Sequence, residues 1–169
     1  MSIASDFLAF DDALGRVGVP PLSQWWRNEA TRFLTAHERG EATEWWCCAG
    51  RGGAKSTASY KLALFQTLFG QFNIPSDERH YAICISRTRD EAGKGVAIVC
   101  NWLTKLGITY RAVGDSIIEL HDSPRGIRIV SASVGAASGW RAYHLACDEF
   151  AKFAAGDLSS GTGSATLIM

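Results

Sequence analysis

Apolar residues recur along this chain in two rhythms, one helical and one extended. Residues 4–14 place Phe7, Leu8, Phe10 and Leu14 on one side of a helix. Residues 15–21 break that pattern with Gly18 and the Pro20-Pro21 pair. Helical spacing returns over 22–38, where Trp25, Trp26, Ala30, Phe33 and Leu34 form an apolar face and Gly40 ends it. A short apolar run over 44–49 predicts a strand. Residues 56–70 predict a helix with Leu62, Leu64, Phe65 and Leu68 as its buried stripe. A loop over 71–79 holds Pro75, and residues 80–86 form a second apolar strand.

Residues 87–106 predict a third long helix, with an apolar centre of Val96, Ile98, Val99, Trp102 and Leu103 and Gly107 as its cap. Three short strands follow over 108–113, 116–121 and 127–133, and the last two read as a hairpin. Residues 134–140 are small and glycine-rich, hence a loop. Residues 143–147 form a strand that runs straight into Asp148-Glu149. Strand and helix alternate through the first two thirds, which predicts an α/β fold with a largely parallel sheet. Residues 156–166, rich in Gly, Ser and Thr, are the nearest thing to a linker.

Composition narrows the classes. The 169 residues make one domain's worth of chain, and 47 % are apolar. Seventeen basic side chains balance seventeen acidic ones, so no global field draws the chain to nucleic acid or membrane. Any DNA contact has to be local. No apolar run approaches the roughly 20 residues that span a bilayer. The N-terminus carries Asp6, Asp11 and Asp12 and no basic stretch, so it does not read as a signal peptide. The five cysteines, Cys47, Cys48, Cys84, Cys100 and Cys147, include no CxxC pair. They read as reduced, buried thiols of a cytoplasmic protein, used for neither metal nor disulfide.

The candidate chemistry starts at residues 44–57. The apolar run breaks into Gly50, Gly52 and Gly53, then Lys55, Ser56 and Thr57 open a helix. Strand, glycine loop, Lys-Ser, helix is the order of a phosphate-binding loop. Glycines let backbone N–H groups turn around a phosphate with no Cβ in the way. The helix N-terminus adds unpaired N–H groups and the positive end of its dipole. Lys55 can reach the β- and γ-phosphates, and the Ser56 hydroxyl can ligate Mg²⁺. The pattern GxxxxGK[ST], laid on 49–56, finds alanine at both outer glycine positions, Ala49 and Ala54. Ala54 is the sharper departure, because the residue before the lysine often needs a conformation that alanine resists. The second stretch is 143–149. A buried strand that ends in two carboxylates supplies what a nucleotide hydrolase needs opposite its phosphate loop: Asp148 for the metal, Glu149 to orient and deprotonate water. In a parallel sheet both stretches lie at the carboxyl ends of strands and can face one crevice.

Taken together, 49–56 with its internal Arg51, the strand 82–87, the segment 138–141 and the strand 144–149 resemble the N-terminal ATPase domain of a tailed-bacteriophage large terminase subunit. The upstream run Pro21-Leu22-Ser23-Gln24-Trp25-Trp26 is similar to the opening of such domains. The resemblance covers roughly residues 20–155. It implies a P-loop NTPase fold of the RecA/ASCE-like kind, with helices on both faces of the sheet and incomplete at its C-terminus. The implied organisation is a helical extension over 1–20, an ATPase domain over 21–156 and a tail or truncated coupling segment over 157–169. The implied cofactors are ATP and Mg²⁺. The implied partners are double-stranded DNA, a portal protein, a small terminase subunit and further copies of the chain, with no membrane.

The resemblance also implies roles for two arginines. Arg51 would sense the γ-phosphate, against the alternative of a surface turn residue. Arg141 would reach a neighbouring subunit's nucleotide as an arginine finger, against that of an exposed loop arginine. Gln24 is either an adenine-pairing amide or an ordinary helix-surface glutamine. The nucleotide-binding set is Gly50, Arg51, Gly52, Gly53, Ala54, Lys55, Ser56, Thr57 and Gln24. The metal set is Ser56 and Asp148, and the catalytic set is Glu149, Arg51 and Arg141. The nuclease half of large terminases is not matched, and residues 164–169 read as a strand of the kind the coupling motif uses. Two other readings stay open: a helicase-like P-loop ATPase, and a non-catalytic nucleotide-binding or assembly fragment.

Overall fold

The computed structural model describes residues 2–48, 52–75, 77–132 and 139–148, and the backbone of 165–168. In chain order the elements are α1 (Ile3–Arg16), α2 (Gln24–Glu38), β1 (Trp45–Cys48), α3 (Lys55–Phe69), β2 (His80–Ser86), α4 (Arg89–Lys105), β3 (Tyr110–Val113), β4 (Ile117–Leu120), β5 (Arg125–Ser131), β6 (Ala142–Cys147) and β7 (Ala165–Ile168). Contacts gather them into two compact units, residues 1–45 and 46–169. No described helix is long and apolar enough to cross a membrane.

In the first unit, α1 begins at Ser2, whose hydroxyl accepts the Ser5 N–H at 3.3 Å. Phe7, Phe10 and Leu14 of α1 are buried, as are Trp26, Ala30 and Leu34 of α2, four residues apart. Trp25, read as part of the apolar face, is 49 % exposed, because that four-residue spacing turns its neighbour inward instead. Trp45 meets Trp26 edge-on at 5.8 Å and stacks on Phe33 at 5.4 Å. Asp11 is fully buried, and it accepts the Leu22 N–H at 3.1 Å and an Arg27 N–H at 2.8 Å. A buried carboxylate survives because it is paired in this way. It ties the proline-bearing break to both helices.

The second unit is built on a sheet of order β1-β7-β6-β2-β5-β4-β3. Its centre is parallel: β2 pairs with β5 on one side and β6 on the other. Beyond β5 the strands turn antiparallel through β4 and β3, and β7 runs antiparallel to β6. The sheet is therefore mixed, with the parallel character confined to its core. The expected hairpin β4–β5 forms, and β3–β4 forms a second one across Gly114.

The two helices of this unit differ in burial. Residues 58–67 of α3 are buried all round, so Leu62, Leu64 and Phe65 are part of an enclosed helix rather than a stripe. Helix α4 opens with a capping box: Thr88 Oγ1 accepts the Glu91 N–H, and the Glu91 carboxylate accepts the Thr88 N–H at 3.0 Å. It closes on Gly107 at φ +70°, with the Ile108 N–H on the Leu103 carbonyl at 3.0 Å. Its buried stripe is Ala92, Gly95, Val99, Trp102 and Leu103; Ile98, read as apolar centre, is 39 % exposed.

Both helices pack on one face. A Cβ on Gly95 of α4 would meet Tyr60 of α3 and Ile129 of β5, and Ile129 is the register partner of Cys84 on β2. The opposite face carries Tyr81, Ile83, Ile85 and Cys147. Helices on both faces were expected; among the described residues of this unit they share one. Right-handed crossovers that keep stepping the same way across a sheet return each helix to the same side. Of the cysteines, Cys47, Cys84 and Cys147 are buried as read, while Cys48 is exposed and Cys100 half-buried.

Candidate functional site

The site forms where α3 begins. Its first residue is Lys55, and the residue before it, Ala54, lies in the left-handed region at φ 57°, ψ 27°. Ala54 is the one non-glycine at positive φ among the described residues. Ala54, at the N-cap of α3, makes no side-chain cap hydrogen bond. Gly52 also has positive φ, 77°. Lys55 is buried, at 7 % exposure, whereas Ser56 and Thr57 are half-buried. Gly50 and Arg51 lie outside the described residues.

Asp148 arrives from the other end of the sequence. It follows the last residue of β6, and its N–H donates to the Ile85 carbonyl of β2 at 2.9 Å. This holds the carboxylate at the carboxyl end of the parallel core. The Ser56 hydroxyl donates to Asp148 Oδ2. Both groups are hard oxygen donors, the kind that Mg²⁺ takes together with phosphate and water. They fit the metal role read for them. Glu149 lies outside the described residues.

A cleft of about 420 Å³ opens over these groups. One wall is the start of α3, from Gly52 to Thr57 with Tyr60; the other is Glu91, Lys94, Gly95 and Ile98 of α4. Those four recur at helical spacing, with Gly95 shared with the buried stripe. Ser86 and Arg87, where β2 ends, form the back. The Tyr60 hydroxyl lies 3.4 Å from Ser86 Oγ, and burial pushes its pKa up to about 12 although the Ser86 contact pulls the other way. The helices are close because position 95 has no side chain: a Cβ there would stand 2.5 Å from Tyr60 Oη. A larger cleft, about 630 Å³, adjoins this one over the end of β5 and shares Lys94 with it. Its rim carries the exposed Arg89–Asp115 ion pair.

The remaining predicted residues lie elsewhere. Arg141 precedes β6, at the opposite end of that strand from Asp148; seven extended residues span roughly 23 Å. It pairs with Glu78, and its carbonyl accepts the Tyr81 N–H at 2.8 Å. Within one chain it does not join Lys55, Ser56 and Asp148. Gln24 is the first residue of α2 in the first unit, and its amide donates to Asn28 Oδ1 at 2.8 Å. Sequence reasoning missed the α4 wall and Tyr60. The available signal was the charged pair Glu91 and Lys94, three apart and off the apolar stripe. Comparison with protein-family models, with characterised proteins and with solved structures yields no match.

Proposed function

We propose that this chain is a Mg²⁺-dependent ATPase of the packaging-motor type, similar to the N-terminal domain of a phage large terminase subunit. The observation that carries the proposal is the Ser56–Asp148 contact. It joins the residue after the loop lysine to a carboxylate that ends a strand 92 residues later. The start of α3, which lines the cleft from Gly52 to Thr57, supports the phosphate half of the reading. The strand order supports it too. Only β7 separates β1, which feeds the loop, from β6, which carries Asp148.

On this reading the α3 N–H groups and Lys55 receive the phosphates. Ser56 and Asp148 hold the Mg²⁺, which neutralises charge on the β- and γ-oxygens. Glu149, next along from Asp148, takes the proton of the attacking water. Arg51 senses the γ-phosphate. Arg141, at the far end of β6, can act only on the nucleotide of a neighbouring copy. Double-stranded DNA, a portal protein and a small terminase subunit are the partners that go with such a motor.

The test is calorimetric titration of the full chain with Mg²⁺ and a non-hydrolysable ATP analogue, wild type against Lys55→Ala. The expected result is binding that Lys55→Ala weakens at least tenfold. Equal affinities would overturn the proposal.

A further inference from the structure

The cations of the second unit divide sharply by partner. Arg79 and Arg111 face Glu119, Arg89 faces Asp115, and Arg141 faces Glu78. Arg125 donates to the Thr67 carbonyl, Arg128 lies over the Trp140 ring at 3.8 Å, and Lys61 lies over Trp102 at 6.0 Å. Lys55 and Lys105 are also engaged. Among the described residues, two cations of this unit remain without a hydrogen bond, an ion pair or a ring: Arg87 and Lys94. Both line the cleft that holds Lys55, Ser56 and Asp148.

Their placement is built in. Arg87 directly follows β2, at the back of the cleft. Lys94 sits on α4 one position before Gly95, where the absence of a Cβ lets α4 close on Tyr60. The two acids that line this cleft among the described residues are already engaged. Glu91 is held by the Thr88 N–H in the capping box, and Asp148 by Ser56. Both cations are exposed and therefore solvated at present. An arriving polyanion would replace that water with charge-assisted hydrogen bonds.

We infer that Arg87 and Lys94 form a second cationic jaw, across the cleft from the α3 N-terminus, which grips the terminal phosphate of a nucleoside triphosphate and makes the site prefer triphosphate over diphosphate. This rests on the phosphate-loop reading above and deepens it. Lys55 and the α3 N–H groups serve the phosphates that di- and triphosphates share. The jaw would serve the group that only the triphosphate has. It consists of positioning and specificity residues, and no bond is made or broken on it.

The experiment measures Mg²⁺-dependent affinity of the full chain for a non-hydrolysable ATP analogue and for ADP. The variants are Arg87→Gln, Lys94→Gln, Lys94→Arg and Lys55→Ala, with Arg32→Gln of the first unit as a charge control. The jaw predicts that Arg87→Gln and Lys94→Gln each cut triphosphate affinity by about tenfold, the scale of one charged hydrogen bond, with ADP nearly unchanged. Lys94→Arg should restore most of it, and Arg32→Gln should change neither ligand. A triphosphate-to-diphosphate ratio that stays at the wild-type value in both glutamine variants overturns the jaw, whether both affinities fall together or neither falls. If that happens while Lys55→Ala still loses binding, the phosphate loop stands and the jaw alone fails. If the wild type binds neither ligand, both fail together. A DNA titration run alongside shows whether the two cations serve a phosphodiester backbone instead. Loss of DNA binding with an unchanged nucleotide ratio counts against the jaw.

Discussion

The Ser56 hydroxyl donates its proton to the Asp148 carboxylate across 92 residues of sequence. One group stands in the first turn of α3 and the other just past β6, so the bond reports that the start of α3 faces the carboxyl end of β6. A serine and an aspartate that meet in this way can share a metal. Asp148→Asn keeps an acceptor for Ser56 but removes the charge that would attract Mg²⁺. It should leave the thermal midpoint nearly unchanged and abolish the gain in nucleotide affinity that Mg²⁺ brings. Glu149→Gln should do the reverse, keeping Mg²⁺-dependent binding and cutting single-turnover hydrolysis by roughly 10²–10⁴. Hydrolysis by Glu149→Gln at the wild-type rate would remove the carboxylate pair from the mechanism.

Ala54 makes a backbone prediction. An L-residue in the left-handed region costs about 1–2 kcal/mol, and glycine there costs nothing sterically but loses about 0.4–1 kcal/mol more entropy on folding. Ala54→Gly should therefore stabilise the chain by about 0.5–1 kcal/mol, a rise of about 1–4 °C in Tm at this size. Thermal unfolding followed by circular dichroism measures it. A lower midpoint would mean that residue 54 does not hold φ 57° in solution.

That strain was legible in the sequence. The phosphate-loop pattern asks for glycine at position 54, and alanine stands there in the conformation glycine favours. The strand 80–86 was legible to the residue, because its burial is continuous and His80 and Ser86 bound an unbroken apolar run. The Ser56–Asp148 junction was legible as two motifs that each needed a partner. The α4 wall was not. What brings Lys94 to the cleft is the missing Cβ of Gly95 against Tyr60, a contact across 35 positions that no periodicity encodes. The direction of β7 was also hidden, since an apolar run shows that a strand exists and not which way it runs.

Alkaline pH should weaken the fold. Burial raises the Tyr60 hydroxyl to about 12 from 10.0 and the Cys147 thiol to about 11 from 9.0, and it moves Cys84 and Tyr143 the same way. Raised values mean that the folded chain keeps protons which the unfolded chain releases. The stabilisation is whole below pH 9, starts to fall as the unfolded thiols ionise, and goes on falling up to pH 12. Each such group contributes a slope of up to about 1.4 kcal/mol per pH unit. Urea midpoints under reductant should be flat from pH 7 to 8.5 and fall steeply above pH 10. Tyr60→Phe should shallow that fall.

Two neighbouring glycines of α4 give opposite predictions. A Cβ at Gly93 meets nothing within 4 Å, so Gly93→Ala should gain helix propensity alone, up to about 1 kcal/mol. A Cβ at Gly95 stands 2.5 Å from Tyr60 Oη and 3.1 Å from Ile129 Cγ2. The same propensity gain is there outweighed by overpacking, typically about 1–3 kcal/mol, because a buried phenol and a strand side chain cannot both give way. Gly95→Ala should lower the urea midpoint, push α4 off α3 and move Lys94 away from Ser56. Nucleotide affinity should then fall in Gly95→Ala and hold in Gly93→Ala. Equal stabilities for the two variants would show that α4 does not approach α3 this closely, and the second wall of the cleft would lose its support.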